Sequence, residues 1–240
     1  MKQKNTIWAF IPARSGSKGL KNKNIIKLNG HPLLAYSIRI AQKIETISKI
    51  ILSTDSKKYI EIGKMYGCKD FHLRSKKISG DKTSEYEVFI DFIKYRIKKN
   101  LSLPKYFLHL RPTTPIRKKE TVEKVIKFFL KNYKNCSSLR TVTEMSNPSY
   151  RSNKILNGKL CAINKKDFNL DKYFKARQFF PKTYWCNAIV DIYKTKNIMK
   201  GFLFGNQVIP YITSDFFNDI DHKNDLEFIK FYLKKNRYKI

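Results

Sequence analysis

Five apolar residues in unbroken succession, Ile7 to Ile11, open the readable pattern of the chain and stop at Pro12. So short a run without a polar break reads as a strand buried on both faces. After a loop rich in Gly and Lys, Leu33, Leu34, Ile38, Ala41 and Ile44 recur at helical spacing behind Pro32, a residue suited to a first helical turn. Ile50 to Ser53 reads as a second strand ending in Thr54-Asp55, and Ile60 and Met65 mark a helix that closes near Gly67. The alternation continues with a strand over Phe71 to Leu73 and a helix presenting Val88, Phe89, Phe92 and Ile97 on one side. A strand over Tyr106 to Leu110 follows, then a helix carrying Val122, Ile126, Phe129 and Leu130, then a strand over Leu139 to Val142.

Strand and helix exchanging this regularly imply an α/β fold with a doubly wound, mostly parallel sheet and right-handed crossovers, so ligands should gather at the carboxyl ends of the strands. From Ser146 to Phe180 the pattern breaks into polar, aromatic and basic pieces without a clean period, longer than a compact connection needs. Residues 146–180 therefore read as an inserted arm on a single domain spanning 1–240. Regular structure returns with Ala188 to Tyr193, Val208 to Ile212 and a terminal helix carrying Leu226, Ile229 and Leu233.

Fifty Lys and Arg stand against nineteen Asp and Glu, a formal net charge of +31. Such an excess points in general to a polyanionic partner. The lysines are scattered over nearly every helix and loop, with no basic stripe interleaved with aromatics, and a lysine-favouring composition explains this as well as a binding face does. Neither nucleic acid nor membrane is therefore expected as a partner, although a positive surface would help to collect anionic small molecules. Cys68, Cys136, Cys161 and Cys186 are widely spaced, with no C-x-x-C pair and no His at zinc-ligand spacing, as expected of reduced thiols. No apolar run approaches the ~18 residues of a membrane span, and the expectation is a cytoplasmic protein.

The residues that carry chemistry begin directly after the first strand, in Pro12-Ala13-Arg14-Ser15-Gly16-Ser17-Lys18-Gly19-Leu20-Lys21-Asn22-Lys23-Asn24. Glycines let backbone N–H groups approach an anion, hydroxyls add donors, and Arg and Lys bring compensating charge. The stretch reads as a triphosphate cradle, with neither Walker A nor G-x-G-x-x-G spacing. Near the other end, Asp219 and Asp221 sit two apart on a segment expected to be extended, so both carboxylates can point the same way and share a hard divalent cation, magnesium being the natural occupant. Asp225, one helical turn further on, reads as a cap for the terminal helix. Ser84 and Glu87 have the S-x-x-E form of a capping box.

The cradle resembles the signature of the acylneuraminate cytidylyltransferases, the CMP-sialic acid synthetases and their relatives acting on legionaminic and pseudaminic acids. Three further stretches resemble that family in the same order. Arg111-Pro112-Thr113-Thr114-Pro115-Ile116-Arg117 is similar to its Gln-Pro-Thr-Ser-Pro-Leu-Arg segment. Arg177-Gln178 with Pro181-Lys182 and Asn187 is similar to its Arg-Gln, Leu-Pro and Asn-Gly stretch, and Asp219-Ile220-Asp221 to its paired metal-binding aspartates.

The resemblance implies a Rossmann-like nucleotidyltransferase that joins CMP from CTP to a nine-carbon acidic sugar, with Mg2+ as cofactor and a homodimer held by interlocking arms. It implies that Arg14, Ser17, Lys18, Lys23 and Asn24 bind the CTP phosphates and adjacent nucleotide, with Lys23 stabilising charge at the reacting phosphoryl group. Arg74 and Ser84 would contact base and ribose, and for Ser84 the cap and the ligand role stand side by side. Asp221 would be the candidate base, and Arg177 and Asn187 would belong to the sugar site.

Three positions depart from the family pattern. Arg111 stands where most of the family has glutamine, and an arginine can donate to O2 and N3 of cytosine but cannot accept from its amino group. Asn187-Ala188 replaces Asn-Gly, and Asp191 follows where an apolar residue is common. Another sugar nucleotidyltransferase of similar fold, using a different nucleotide or acidic sugar, is the nearest alternative, and a basic nucleic-acid-binding protein is the alternative from a different class.

Overall fold

The computed structural model of the protein describes residues 6–17, 19–163, 167–238 and 240. The first strand, β1 (Ile7–Pro12), lies inside a seven-stranded sheet. A two-residue pair, β2 (Lys27–Leu28) and β3 (His31–Pro32), leads into α1 (Leu33–Gln42), followed by β4 (Ile47–Thr54), α2 (Lys57–Met65), β5 (Asp70–Leu73) and α3 (Glu85–Lys98). The chain continues through β6 (Tyr106–His109), α4 (Lys119–Asn132), β7 (Ser138–Glu144) and a hairpin of β8 (Asn153–Leu156) and β9 (Lys159–Ala162). It ends with β10 (Tyr184–Lys194), α5 (Thr195–Met199), β11 (Val208–Ile212) and α6 (Lys223–Lys235).

Strand order is β11-β7-β10-β6-β1-β4-β5. All neighbours run parallel except β10, which is antiparallel to both β6 and β7. From β1 the chain winds outward through β4 to β5, whereas β6 returns to the other side of β1. The winding direction therefore reverses between β1 and β6, the place where an open α/β sheet leaves a crevice at the carboxyl ends of its strands.

β1 shows why the unbroken apolar run was needed. Side chains alternate across a strand, so Ile7, Ala9 and Ile11 pack among residues from α1, α2 and α4. Trp8 and Phe10 face the opposite side, against Phe89 and Phe92 of α3. A third apolar cluster joins Leu28, Leu33 and Ile116 to Leu226 and Ile229 of α6 and contains Ile220 at full burial. On α3 the buried face is Val88, Phe89, Phe92 and Ile93, while Ile97, expected on that face, is exposed near the helix end.

Residues 146–180 carry the β8–β9 hairpin, which pairs with itself outside the main sheet. Asn157 and Gly158 both have positive φ at its tip, as a two-residue hairpin turn requires. The following strand, β10, carries a register break against β7 between Cys186 and Asp191. Ala188 there has φ of 55°, a left-handed conformation costing a residue with a Cβ about 1 kcal/mol. Buried Asn187 braces it, its Oδ1 accepting from Ile189 N and Thr141 Oγ1 and its Nδ2 donating to Thr143 Oγ1. Glycine, usual in the family at this position, would be free of that cost.

His72 on β5 gives the fold a pH dependence. Its ring is buried, with Nδ1 against Ser53 Oγ at 3.0 Å and Nε2 against Asp91 at 2.9 Å. Burial, aided by Arg74, pushes its pKa down to about 4 against the opposing pull of Asp91. A value lowered on folding means that stability is whole above the unfolded pKa of about 6.5 and drains as the unfolded chain takes up a proton the native state refuses. A loss on the order of 2 kcal/mol is expected between pH 7 and pH 5. Urea midpoints measured across that range should slope downward in the native sequence and stay flatter in His72→Asn; equal slopes would refute this origin.

Candidate active site

A cavity of about 490 Å3, within the range of small-molecule sites, opens where β1 and β6 end. Arg14, Ser17, Gly19, Lys23 and Asn24 of the loop after β1 line it together with Asp221, and Arg74, Thr83, Glu85, Phe89 and Arg111 come from the segments around α3 and β6. The loop contributes cations and hydroxyls. The other segments contribute an apolar ring beside hydrogen-bonding groups.

The loop after β1 is shaped by a residue the sequence reading passed over. Asp55, at the end of β4, accepts from Ser15 N through Oδ1 and from Ser15 Oγ through Oδ2, both at 2.8 Å. The only cue in the sequence was its place just past a strand. Asn24 is buried and donates to Arg14 O at 2.9 Å, closing the loop on itself. A Cβ on Gly19 would lie 2.7 Å from the backbone oxygen of Asp221, so glycine is what lets the loop touch the aspartate segment. Lys18 lies outside the described residues.

Arg14 and Lys23 bring positive charge to the cavity, each resting on a carboxylate. Arg14 Nη1 pairs with Asp81 at 2.6 Å and Lys23 Nζ with Asp221 at 2.7 Å. Asp219 accepts from Thr114 Oγ1 and lies 3.5 Å from Thr113 Oγ1. Buried Ile220 separates the two aspartates and donates its N–H to Thr113 O; both aspartates are exposed, but of the two only Asp221 lines the cavity, Asp219 being held by the threonine hydroxyls. Asp225 accepts from the backbone of Asp221 and His222, capping α6.

Arg74 is buried, and its Nε has no hydrogen-bond partner among the described residues. Burial lowers its pKa to about 10 against the attraction of Asp55. Ser84 forms the full capping box with Glu87 and is absent from the cavity lining, so its oxygen serves the α3 N-terminus. That cap places Glu85, which does line the cavity, at the first helical position.

Arg111 sits in a four-residue charge network. Its Nε and Nη2 form a fork onto the two oxygens of Glu85 at 2.7 and 2.8 Å, and its Nη1 reaches Asp191 at 2.9 Å. Arg140 holds the same Asp191 through two bonds, and Tyr193 Oη donates to it at 3.1 Å. Asp191 has no exposed surface. Burial alone would raise its pKa, but Arg140 and Arg111 reverse that and hold it below the usual carboxylate range. Burial would lower Arg111, yet Asp191 and Glu85 raise it above its ordinary value. Two of the departures from the family pattern are thus partners, the buried cation at 111 and the buried anion at 191. Arg117, at the end of the same motif, is buried and fastens the β6 loop to β10 through the carbonyls of Arg111, Ala188 and Ile189.

Arg177 and Asn187, the residues expected at a sugar site, are absent from the lining of this cavity. Asn187 spends its polar atoms within β10 and on β7. Arg177 is exposed on the arm, beside a separate depression shared with Glu144 and Lys182. Within one chain neither joins the residues of the β1 loop.

The family model described as Cytidylyltransferase matches residues 8–236. The chain is similar to N-acylneuraminate cytidylyltransferase of Escherichia coli O18:K1:H7, with 32% identity over 236 residues covering 98% of this chain and 54% of that protein. It thus spans about half the length of that relative. It is also similar to pseudaminic acid cytidylyltransferase of Campylobacter jejuni, with 29% identity covering 95% of this chain and 96% of the relative. Among solved structures, a CMP:2-keto-3-deoxy-manno-octonic acid synthetase complexed with CTP superposes with a TM-score of 0.68 at 13% identity, over 96% of this chain and 99% of the other, a likeness of fold.

Proposed function

The chain belongs to the cytidylyltransferase family, and on that premise we propose that it transfers CMP from CTP to a nine-carbon acidic sugar of the sialic-acid type, releasing pyrophosphate. The observation that carries this reading is the cavity of about 490 Å3 at the ends of β1 and β6, in which Arg14 and Lys23 of the loop after β1 and Asp221 share one lining with Arg74, Glu85, Phe89 and Arg111. The anomeric hydroxyl oxygen attacks the α-phosphorus, a P–O bond forms to the sugar, and the bond to the bridging oxygen breaks so that pyrophosphate leaves with the electron pair. Arg14, Lys23 and the loop donors hold the triphosphate in line and offset the charge that develops on it. Asp221 would take the hydroxyl proton, a reading supported by its place in the cavity lining beside Lys23.

Asp219 and Asp221 offer exposed carboxylate oxygens two residues apart, Asp221 against Lys23 and Asp219 against the hydroxyls of Thr113 and Thr114, and such oxygen donors suit a hard cation such as magnesium. Bound there, magnesium would neutralise phosphate oxygens. The arm exposes Ile155, Phe168, Phe174 and Phe179, which supports the reading that it packs against a second copy and that Arg177 serves a sugar site completed by dimerisation. Incubation with CTP, magnesium and a panel of sialic, legionaminic and pseudaminic acids should yield a CMP-sugar and pyrophosphate by mass spectrometry. Failure with every acceptor would refute the proposed reaction.

A further inference from the structure

Cytosine differs from uracil at two edge positions: N3 accepts in cytosine and donates in uracil, and position 4 carries an amino group in cytosine and a carbonyl oxygen in uracil. A site that reads the second difference must place an acceptor at position 4. The fork of Arg111 contains only donors, so the glutamine usual at this position cannot be replaced by arginine alone. Glu85 lines the cavity in contact with Arg111, and among the described lining residues the only other carboxylate is Asp221, which rests on Lys23; Asp191 is fully buried. Each Glu85 oxygen accepts one bond from Arg111, which leaves a second lone pair on each. The side chain keeps 39% of its surface exposed.

Glu85 is also fixed in place. Ser84 caps the helix that Glu85 begins, and Arg111, itself anchored on Asp191, grips both carboxylate oxygens. Its position is set before any nucleotide arrives, the condition under which a hydrogen bond discriminates most strongly. Three of the five N–H groups of Arg111 are engaged by carboxylates, and those left over can serve the acceptors N3 and O2.

Resting on the proposed CTP-dependent reaction, we propose that Glu85 is the residue that selects cytosine, accepting a hydrogen bond from the 4-amino group, and that the Glu85–Arg111 pair together replaces the single glutamine amide. A carboxylate at that point repels the O4 of uracil, so the pair both attracts the right base and rejects the wrong one.

Competition binding with CTP, UTP and the triphosphate of pyrimidin-2-one ribonucleoside, which has hydrogen in place of the amino group, tests this without any sugar. The native protein is expected to favour CTP over both others by about 10²-fold or more. Glu85→Ala should bring CTP and the pyrimidin-2-one analogue to within a few-fold of each other. Glu85→Asp keeps the charge opposite Arg111 but withdraws the acceptor by one methylene, and should lose most of the preference while retaining the fold. If native discrimination survives in both variants, Glu85 is not the selector. If the native protein binds none of the three nucleotides, the proposed reaction itself fails.

Discussion

Replacing Asp221 with Ala is expected to lower CMP transfer by about 10²- to 10³-fold, the scale on which removal of one charge-stabilising group acts on a developing transition state. The fold should be unaffected, because the side chain is exposed and its neighbour Ile220, not the carboxylate, anchors the segment. Lys23 would lose the anion it rests on and be left with the phosphates alone. CTP binding is therefore expected to persist while turnover collapses. A melting curve, a CTP titration and a turnover assay at several magnesium concentrations separate these effects. Near-normal turnover in Asp221→Ala would remove both the metal assignment and the proton-accepting role.

The ion pairs of Arg14 and Lys23 fit the proposed reaction. Arg14 lies against Asp81 and Lys23 against Asp221, so neither of these two cations stands bare. On that proposal an arriving triphosphate would take over both cations and release Asp221 from Lys23.

The second large effect is on stability. Asp191→Asn preserves shape but removes the only negative charge shared by Arg111 and Arg140, leaving two part-buried guanidinium groups with Glu85 alone to offset them. Breaking a buried pair in this way costs roughly 3–5 kcal/mol, since an uncompensated charge stays behind. For a chain of this size the melting temperature should fall by on the order of 10 °C. The double change Arg111→Gln with Asp191→Leu, which moves both departures toward the family pattern, should recover part of the loss, because cation and anion leave together. Urea denaturation of Arg111→Gln, Asp191→Leu and the double gives the coupling. An Asp191→Asn protein within 1 kcal/mol of the native would show that the network carries little stability.

Much of this was legible in the sequence. The five-residue apolar run after Thr6 required a strand covered on both sides, and regular alternation required a doubly wound sheet, because each period is a direct consequence of which side chains face a core. The capping box at Ser84 and the cap at Asp225 are local patterns, written within a few residues, and each has its structural counterpart, while the glycine-rich loop after β1 and Asp221 both line the cavity.

What the tertiary structure alone decided is pairing across distance. The antiparallel course of β10 cannot be read from its apolar pattern, since burial on both faces looks the same in either direction. Nor could Arg111, Glu85, Asp191 and Arg140 be joined from their positions, because an ion pair depends on where helices and strands meet and leaves no periodic trace. Asp55 on Ser15 and Gly19 against Asp221 are of the same kind. The sequence determined that a loop rich in Gly, Ser and Lys follows a strand buried on both faces; only the folded chain decided which carboxylates stand around it, because those contacts join residues far apart in the chain.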